Sequence, residues 1–267
     1  LSLHDALPIS NLEGITMPWS FDSNTTLCLD DATMLPQTIV AYPARIRYNY
    51  PVAEDISGIK GCIVEFAKGY TGAVSRPEGT TVEFSGGEAV ITIANQGETG
   101  QIVCSNNVLV TRLAQANTAD TNRDKTLAIG NFDVLFKDKA QADVKTLILS
   151  EMAAGYEAAL TLEDSAQVKV TGSSNVDANT SSIMIGHWNG PSTLTLRDNA
   201  KFVAESADVL VGKTGNTQSI VLEGGEMRVR GVKLSASASG TNTLTLAGGK
   251  LLVGDTGIAR YGSSTMT

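Results

Sequence analysis

The sequence predicts an all-β protein, namely a single-stranded parallel β-helix (solenoid) that is right-handed and has about 26 residues per coil. Three observations carry this prediction. Pairs of apolar residues two apart recur along the chain, most steps between the pairs are close to one period, and the pairs are followed by turns built on Asp or Gly. Strand repeats of this length are typical of solenoids, and crossovers between parallel strands are right-handed.

The recurring pairs define one predicted row of inward-facing side chains. Its members are Phe84, Val110, Phe136, Leu162, Leu196, Leu222 and Leu246. Around them apolar and polar residues alternate, which is the period of a strand rather than of a helix. We expect matching strands of successive coils to lie about 4.8 Å apart, so that these side chains stack and each coil is stabilised by its neighbours.

The turns after the pairs are of two kinds. Three carry aspartate, at Asp138, Asp164 and Asp198, and three others carry a Gly-Gly step in its place. Aspartate bonds its own backbone and tolerates a left-handed conformation, which glycine enters without a side-chain clash. We therefore expect the aspartates to stack at turns rather than to act in catalysis, and Asp30-Asp31 to form a similar turn.

The chain divides into three parts. Residues 1–10 are set aside with His4, because the opening LSLHDALPI resembles one reading frame of a widely used sequencing-library adapter. Residues 11–79 are an irregular β region, interpreted either as early coils or as a small β insert. Residues 80–267 hold the regular repeats, and the open last coil leads us to expect truncation at the C-terminus of a longer protein.

Composition favours an exported repeat protein. Hydrophobic residues make up 42% of the chain, charged residues 18% and aromatic residues 5%, and the net charge is −8. This acidity argues against nucleic acid as a partner. No apolar run is long enough to suggest a membrane-spanning segment. We expect a monomeric solenoid.

The three cysteines, Cys28, Cys62 and Cys104, are too few and too widely spaced for a zinc pattern. Each lies in an apolar, strand-like stretch, which favours buried thiols. One disulfide with a leftover thiol is the alternative, and it requires a location outside the cytoplasm.

Few residues are candidates for binding or cleaving a glycan. His187 follows the same Ile/Val-Gly step as Lys213, so we interpret it as a turn residue, and Trp19 and Trp188 are single aromatics rather than a stacking platform. Glycoside hydrolysis needs two facing carboxyls. The predicted outward row, which has one acid, consists of Glu83, Leu109, Leu135, Thr161, Thr195, Val221 and Thr245. No catalytic residue is assigned.

Two further patterns are weighed as binding sites. Asp120, Asn122 and Asp124 alternate like the ligands of a calcium loop, but the expected Gly and Glu are missing, so we interpret the segment as a solvated loop. A basic stripe on the outer face of the second strand consists of Lys169, Lys201, Arg228 and Lys250. It suits an anionic glycan, but its interruptions favour an ordinary solvated face. No metal or cofactor is assigned.

Several phrases resemble the repeats of autotransporter passenger proteins and related bacterial surface β-helix proteins. They are TLTLRDNAKF, SIVLEGGEMRV, NTLTLAGGKLLVG, DVLVGKTGN and SIMIGHWNG. The resemblance implies export, an extracellular or outer-membrane-associated cell-surface location, and roles in adhesion or display, with glycans or host and neighbouring cell surfaces as partners.

The function we expect is that of a non-enzymatic scaffold, adhesin-like or part of an autotransporter passenger. The alternative is a carbohydrate-active β-helix enzyme, a polysaccharide lyase or glycoside hydrolase, with its site outside this fragment or on the loop at residues 173–182. A remote third interpretation is a phage-type tail fibre. Acids and basic residues converging in an outer groove would favour the enzyme, and a smooth threonine-lined face would favour the scaffold.

Overall fold

The computed structural model describes residues 19–32, 39–53, 61–74, 80–94, 101–115, 125–150, 157–173, 182–187, 190–212, 216–234, 240–260 and 264–267. The first twelve strands are β1 (Trp19–Ser20), β2 (Thr26–Leu29), β3 (Ile39–Ala41), β4 (Arg45–Tyr48), β5 (Ile63–Phe66), β6 (Tyr70–Val74), β7 (Thr81–Phe84), β8 (Glu88–Ile93), β9 (Gln101–Cys104), β10 (Leu109–Gln115), β11 (Thr126–Ile129) and β12 (Asp133–Phe136). The other twelve are β13 (Gln141–Val144), β14 (Thr146–Leu149), β15 (Ala158–Leu162), β16 (Gln167–Val170), β17 (Ile183–Ile185), β18 (Ser192–Leu196), β19 (Lys201–Val211), β20 (Gln218–Leu222), β21 (Glu226–Leu234), β22 (Asn242–Leu246), β23 (Lys250–Arg260) and β24 (Thr265–Met266). Within these ranges there is no helix with the length and hydropathy to cross a membrane.

Nearly all of the strands belong to two long sheets, and their described neighbours run parallel. The first sheet has the order β2-β4-β5-β7-β9-β12-β15-β18-β20-β22-β24. The second has the order β6-β8-β10-β13-β16-β19-β17-β14-β11, with β21 and β23 following β19. β1 and β3 form a separate parallel pair. The prediction of an all-β chain with long parallel sheets is therefore confirmed.

The first sheet aligns one apolar position on ten successive strands. The aligned residues are Leu29, Tyr48, Phe66, Phe84, Cys104, Phe136, Leu162, Leu196, Leu222 and Leu246. All of them are buried except Leu246, which is 41% exposed. The rings of Tyr48, Phe66 and Phe84 stack with centroid distances of 5.2 and 5.3 Å, so the row begins as an aromatic stack and continues mainly with aliphatic side chains.

One member of the predicted row is wrong. Val110 lies in the second sheet, where it pairs with Ala142, and Cys104 takes its place in the first sheet. In the sequence Val110 lies midway between Phe84 and Phe136, whereas Cys104 lies much closer to Phe84. An equal-spacing search therefore selects the wrong residue.

The length of chain between neighbouring strands varies widely. Asp138 and Asp164, which follow β12 and β15, are separated by the expected 26 positions, whereas Asp164 and Asp198, which follow β15 and β18, are separated by 34. The connection from β5 to β7 is much shorter than either of these. The first sheet also runs in register across residue 80, because β2, β4 and β5 belong to it. A single period thus describes only part of the chain.

Long strands connect two halves of the second sheet. In β19, Lys201–Val203 pairs with β16, whereas Val209–Val211 pairs with β17. Between the two halves the register with β21 shifts, from Ala204 to Asp208. Apolar side chains from both halves and from the first sheet form one hydrophobic cluster, so the sheets share a single core.

A short polar row lies inside this core, at the start of three strands of the first sheet. Ser192, Gln218 and Asn242 are aligned, and each is at most 3% exposed. The Ser192 hydroxyl donates to Gln218 Oε1, and the Gln218 amide donates to the Gly190 carbonyl at 3.2 Å. Glycine is needed against this row, because a Cβ on Gly212 (φ +78°) would lie 2.1 Å from Asn242 Oδ1.

Candidate functional site

Two glutamates stand side by side on the outer face of the first sheet. Glu65 of β5 pairs in register with Glu83 of β7, while Val64 and Phe66 on either side of Glu65 are buried in the core. Neighbouring strands lie about 4.8 Å apart, so the two side chains are close. Although they face outward, they are only 6% and 13% exposed.

Arg45 of β4 joins the two carboxylates. Its Nη1 atom donates to Glu65 Oε2 at 2.7 Å and to Glu83 Oε2 at 2.6 Å. The other oxygens accept hydrogen bonds from serines, since the Ser85 hydroxyl donates to Glu65 Oε1 and the Ser105 hydroxyl to Glu83 Oε1, both at 2.7 Å. All four carboxylate oxygens therefore have a donor. We call these five residues the Arg45 cluster.

The electrostatics of the Arg45 cluster favour charged side chains. Burial by itself raises the pKa of Glu83, but hydrogen bonds from Ser105 and Arg45 and the charge of Arg45 outweigh it, so this pKa lies below its ordinary value. Burial lowers the pKa of Arg45, but its bonds to both glutamates reverse the effect and leave it raised. Glu83 is thus ionised near pH 7, whereas the general acid of a glycosidase needs a raised pKa.

Sequence reasoning finds Glu83 but misses Glu65 and Arg45. Leu109, predicted beside Glu83, lies in the second sheet, and Val103 takes its place in the outward row. The signal that could have revealed Glu65 is the repeated Val-Glu-Phe triplet at residues 64–66 and 82–84. A search at the longer period of the regular repeats does not detect this triplet, because its two copies lie closer together in the chain than one period.

The aspartates predicted at turns do stack there. Asp138, Asp164 and Asp198 have φ angles of +58°, +56° and +53°. The N–H of Asp138 donates to Asp164 Oδ2 at 3.1 Å, and the N–H of Asp164 donates to Asp198 Oδ2 at 3.2 Å. Asn106 extends the row, because its N–H donates to Asp138 Oδ2 at 3.1 Å. Each aspartate therefore caps the preceding turn, which confirms the structural role.

The glycine turns differ from the aspartate turns in length. Leu196 pairs with Leu222, and Lys201 pairs with Glu226. Four residues lie between Leu196 and Lys201, but only three lie between Leu222 and Glu226. In the shorter turn the positive φ, +69°, lies at Gly225. The Gly-Gly step therefore replaces the whole aspartate turn rather than the aspartate alone.

The structure does not bring the remaining glycan and metal candidates together at one site within the described residues. His187 follows β17, and its N–H donates to the Leu149 carbonyl at 3.1 Å, which fits a turn position. Trp19 begins β1, and Asp30 and Asp31 follow β2 in a bend. Outside the described residues lie Trp188, the calcium-loop candidates Asp120, Asn122 and Asp124, and residues 174–181 of the predicted loop.

The predicted basic stripe is divided between two rows. Lys201 and Lys250 align with Glu226 between them, whereas Lys169 and Arg228 belong to the row two positions further along the strands. Arg228 also donates to Glu226. An acid therefore separates the bases, so they form no continuous stripe, in line with the interruptions noted in the sequence.

A hydroxyl-rich face covers the outer side of the first sheet from β15 to β24. Its first row is Ala159, Thr193, Ser219, Thr243 and Thr265, and its second row is Thr161, Thr195, Val221 and Thr245. The Thr243 hydroxyl donates to Ser219 at 3.0 Å, and Thr267 donates to Thr245 at 3.2 Å. We call these two rows the hydroxyl face, and neither of them contains a charged residue.

The three cysteines are free thiols. Cys62 and Cys104 are buried, as predicted, but Cys28 is exposed, because it occupies the outward position between the buried Leu27 and Leu29. Burial raises the pKa of the Cys62 thiol to about 11. Burial, assisted by the charge of Glu83, also raises the pKa of Cys104.

Within the described residues, no group of three or more His, Cys, Asp or Glu side chains could hold a metal ion. Comparison of the chain with protein-family models, with curated proteins and with solved structures finds no significant match.

Proposed function

We propose that the chain is a right-handed, single-stranded parallel β-helix that acts outside the cell as a non-enzymatic, adhesin-like scaffold of the autotransporter-passenger type. Support for the winding comes from the parallel pairing of the described neighbours and from the first sheet, whose strands follow each other in chain order with strands of the second sheet between most of them. The handedness follows the rule for parallel crossovers.

The observation that carries the scaffold function is the hydroxyl face. Across five adjacent strands its rows present threonine, serine, alanine and valine side chains and no charge. A hydroxyl that binds a partner gives up a hydrogen bond to water, so each single contact contributes little net free energy. A repeated array of hydroxyls binds a repeated partner through many such contacts at once. A neutral surface glycan is the partner class that this face suits.

A carbohydrate-active enzyme is the second candidate, favoured by the Arg45 cluster. Its two carboxyls face outward from adjacent strands and accept from the same Arg45 nitrogen, so they lie close together, as the carboxyls of a glycosidase pair do. Arg45 bridges them, however, and the pKa of Glu83 is lowered rather than raised. The arrangement suits a structural ion pair better than proton transfer, so we place the scaffold first.

Binding and cleavage assays on one glycan array separate the two functions. We expect the wild-type chain to bind neutral glycans and to release no new reducing or unsaturated chain ends. Introducing charge on the hydroxyl face, with Thr161→Lys and Thr245→Lys, should weaken binding at least tenfold, since the face loses its neutral repeat. The matched control is Gln167→Lys on the outer side of β16, which should bind like the wild type.

The outcome that overturns the scaffold is the release of chain ends by the wild type. If Glu83→Gln then abolishes that release, the enzyme takes its place. The extracellular location has its own test, because antibodies raised against this chain should label intact cells that express it. Labelling only after the cells are made permeable would contradict it.

A further inference from the structure

Three strands of the first sheet carry the same central sequence. The triplet Leu-Thr-Leu occurs at residues 160–162 in β15, 194–196 in β18 and 244–246 in β22. At these positions the strands present the same side chains to the core and to the outer face, so β22 would stack on β15 as well as β18 does. Chains with interchangeable segments are prone to wrong pairing and to exchange between copies. A feature outside the triplet is therefore needed to fix the order of the strands.

A row of residues with positive φ lies at the ends of three strands of the second sheet. Leu149, Ile185 and Val211 are aligned at the ends of β14, β17 and β19. The residues that follow them are Ser150, Gly186 and Gly212, with φ angles of +62°, +82° and +78°. We call these three the corner residues. They precede β15, β18 and β20 in the chain, so each one introduces a strand of the first sheet.

Each glycine corner contacts the first residue of the strand that pairs next after the one it introduces. Gly186 introduces β18, and a Cβ added to it would lie 2.2 Å from Gln218 Cδ at the start of β20. Gly212 introduces β20, and a Cβ added to it would lie 2.1 Å from Asn242 Oδ1 at the start of β22. β18 pairs with β20, and β20 pairs with β22. Both amides thus occupy space that only a glycine leaves open.

The serine corner differs from the glycine corners, and so does the strand that matches it. Ser150 introduces β15, whose neighbour β18 begins with the small residue Ser192. The Ser150 Oγ atom accepts a hydrogen bond from the Gly190 N–H at 3.1 Å, so this corner lies against the segment that leads into β18. A large side chain is therefore matched with a glycine corner, and a small one with the serine corner.

We propose that the corner residues determine which strands of the first sheet become neighbours, because Ser150 admits only a small first residue. A Cβ at either glycine corner would overlap the amide beside it, so Gln218 or Asn242 placed beside β15 would overlap Ser150. Overlap inside a packed core forces side chains off their preferred rotamers. A displaced Gln218 would also lose its bonds to Ser192 and Gly190, which hold β20 next to β18. Of β18, β20 and β22, only β18 then fits beside β15.

Exchanging side-chain size at the corners tests this matching in the full chain. Ser192→Asn should lower the urea midpoint of unfolding, and adding Ser150→Gly should restore at least half of that loss. In the reverse exchange, Gly186→Ser should lower the midpoint and adding Gln218→Ser should restore part of it, because the pair then copies Ser150 and Ser192. Thr193→Asn, at an outward position of β18, is the control whose midpoint Ser150→Gly should not restore. Losses that simply add in either double variant would overturn the proposal.

Disulfide cross-linking during refolding tests the choice of neighbour itself. All chains carry Cys28→Ser, which removes the exposed thiol. Thr161→Cys with Thr195→Cys places two thiols on adjacent strands, about 4.8 Å apart, which a disulfide can span. Thr161→Cys with Thr245→Cys places them three strands apart, about 14 Å, which a disulfide cannot span. A link between residues 161 and 245 therefore reports β22 beside β15, within one chain or between two copies.

Making the corners alike should remove the selection. The variant Ser150→Gly, Ser192→Asn and Gln218→Asn has a glycine at every corner and an asparagine at the start of β18, β20 and β22. With wild-type corners we expect the first cysteine pair to link and the second to stay almost entirely reduced, as peptide mapping would show. Uniform corners should raise the yield of the second link at least tenfold. An unchanged yield would overturn the proposal, since the order of the strands would then be fixed elsewhere.

Discussion

The N–H of Asp138 donates a hydrogen bond to the Oδ2 atom of Asp164, one strand further along the first sheet. Asp164 therefore has two structural tasks, because it adopts a positive φ in its own turn and caps the turn of its neighbour. The same relationship joins Asp164 to Asp198, so the row is a ladder of main-chain to carboxylate bonds.

Replacing Asp164 by alanine should lower the free energy of unfolding by about 1–3 kcal/mol, because the positive φ becomes strained and one capping bond is lost. Asp164→Asn should change it by less than about 0.5 kcal/mol, since Asn106 holds the equivalent position with a φ of +52°. Urea unfolding measures both. Equal losses in the two variants would contradict the capping role.

Arg45→Ala should be much more damaging than the removal of an exposed arginine. It leaves two mostly buried glutamates without their shared cation, for which we expect a loss of about 2–4 kcal/mol. Arg197→Ala is the matched control, because Arg197 and Glu223 form an exposed pair worth less than about 1 kcal/mol. Similar urea midpoints for the two variants would show that the Arg45 cluster contributes little.

Acid should remove the contribution of Glu83 to stability. Because its folded-state pKa is lowered, the unfolded state takes up protons first, so this contribution is present above the unfolded value near about 4.3 and is lost as pH falls through the folded value. Glu83→Gln should therefore be less stable than the wild type at pH 7, and the difference should shrink towards pH 3. A difference that does not depend on pH would refute this.

Gly212→Ala should destabilise the chain by about 2–5 kcal/mol, since it combines a strained positive φ with overlap on Asn242. Gly257→Ala provides the control, because Gly257 has a similar φ of +71° and open space around the added Cβ, so only about 1–2 kcal/mol should be lost. Thermal unfolding of both variants checks the difference. Adding Asn242→Ala to Gly212→Ala should recover part of the loss.

Thiol labelling should distinguish the three cysteines. Under native conditions Cys28 should react rapidly with a disulfide reagent, whereas Cys62 and Cys104 should react only when the chain is unfolded, because they are buried and their pKa values are raised. Cys28→Ser should abolish the rapid phase. A rapid phase that survives this substitution would place a second thiol at the surface.

The regular part of the architecture could be predicted because local pattern and stacking agree there. The Leu-Thr-Leu segments that begin at Leu194 and Leu244 have the strand period, and each is aligned with its neighbour without a register shift. Their inward and outward faces follow directly from alternation. The aspartate turns were predictable for the same reason, since residue type and backbone conformation point to one structure.

A search at one fixed period misses the Arg45 cluster, because strand pairing does not require equal spacing along the chain. The free energy of closing a connection rises slowly with its length, so a sheet accepts the short step between Phe66 and Phe84 as readily as the longer one between Phe136 and Leu162. An outward row can be read only when the register is known, since a slip of one residue moves every side chain to the other face. Assigning Val110 in place of Cys104 also hid Ser105, the residue after Cys104, whose hydroxyl donates to Glu83.

Leu162 and Leu196 are neighbours in the first sheet, although the chain between them is much longer than the chain that joins Phe66 to Phe84. Segments of very different size thus leave the interior unchanged. Lengthening or shortening a connection therefore costs the folded state little free energy, so a chain of this kind can change in length between its strands while its core stays the same.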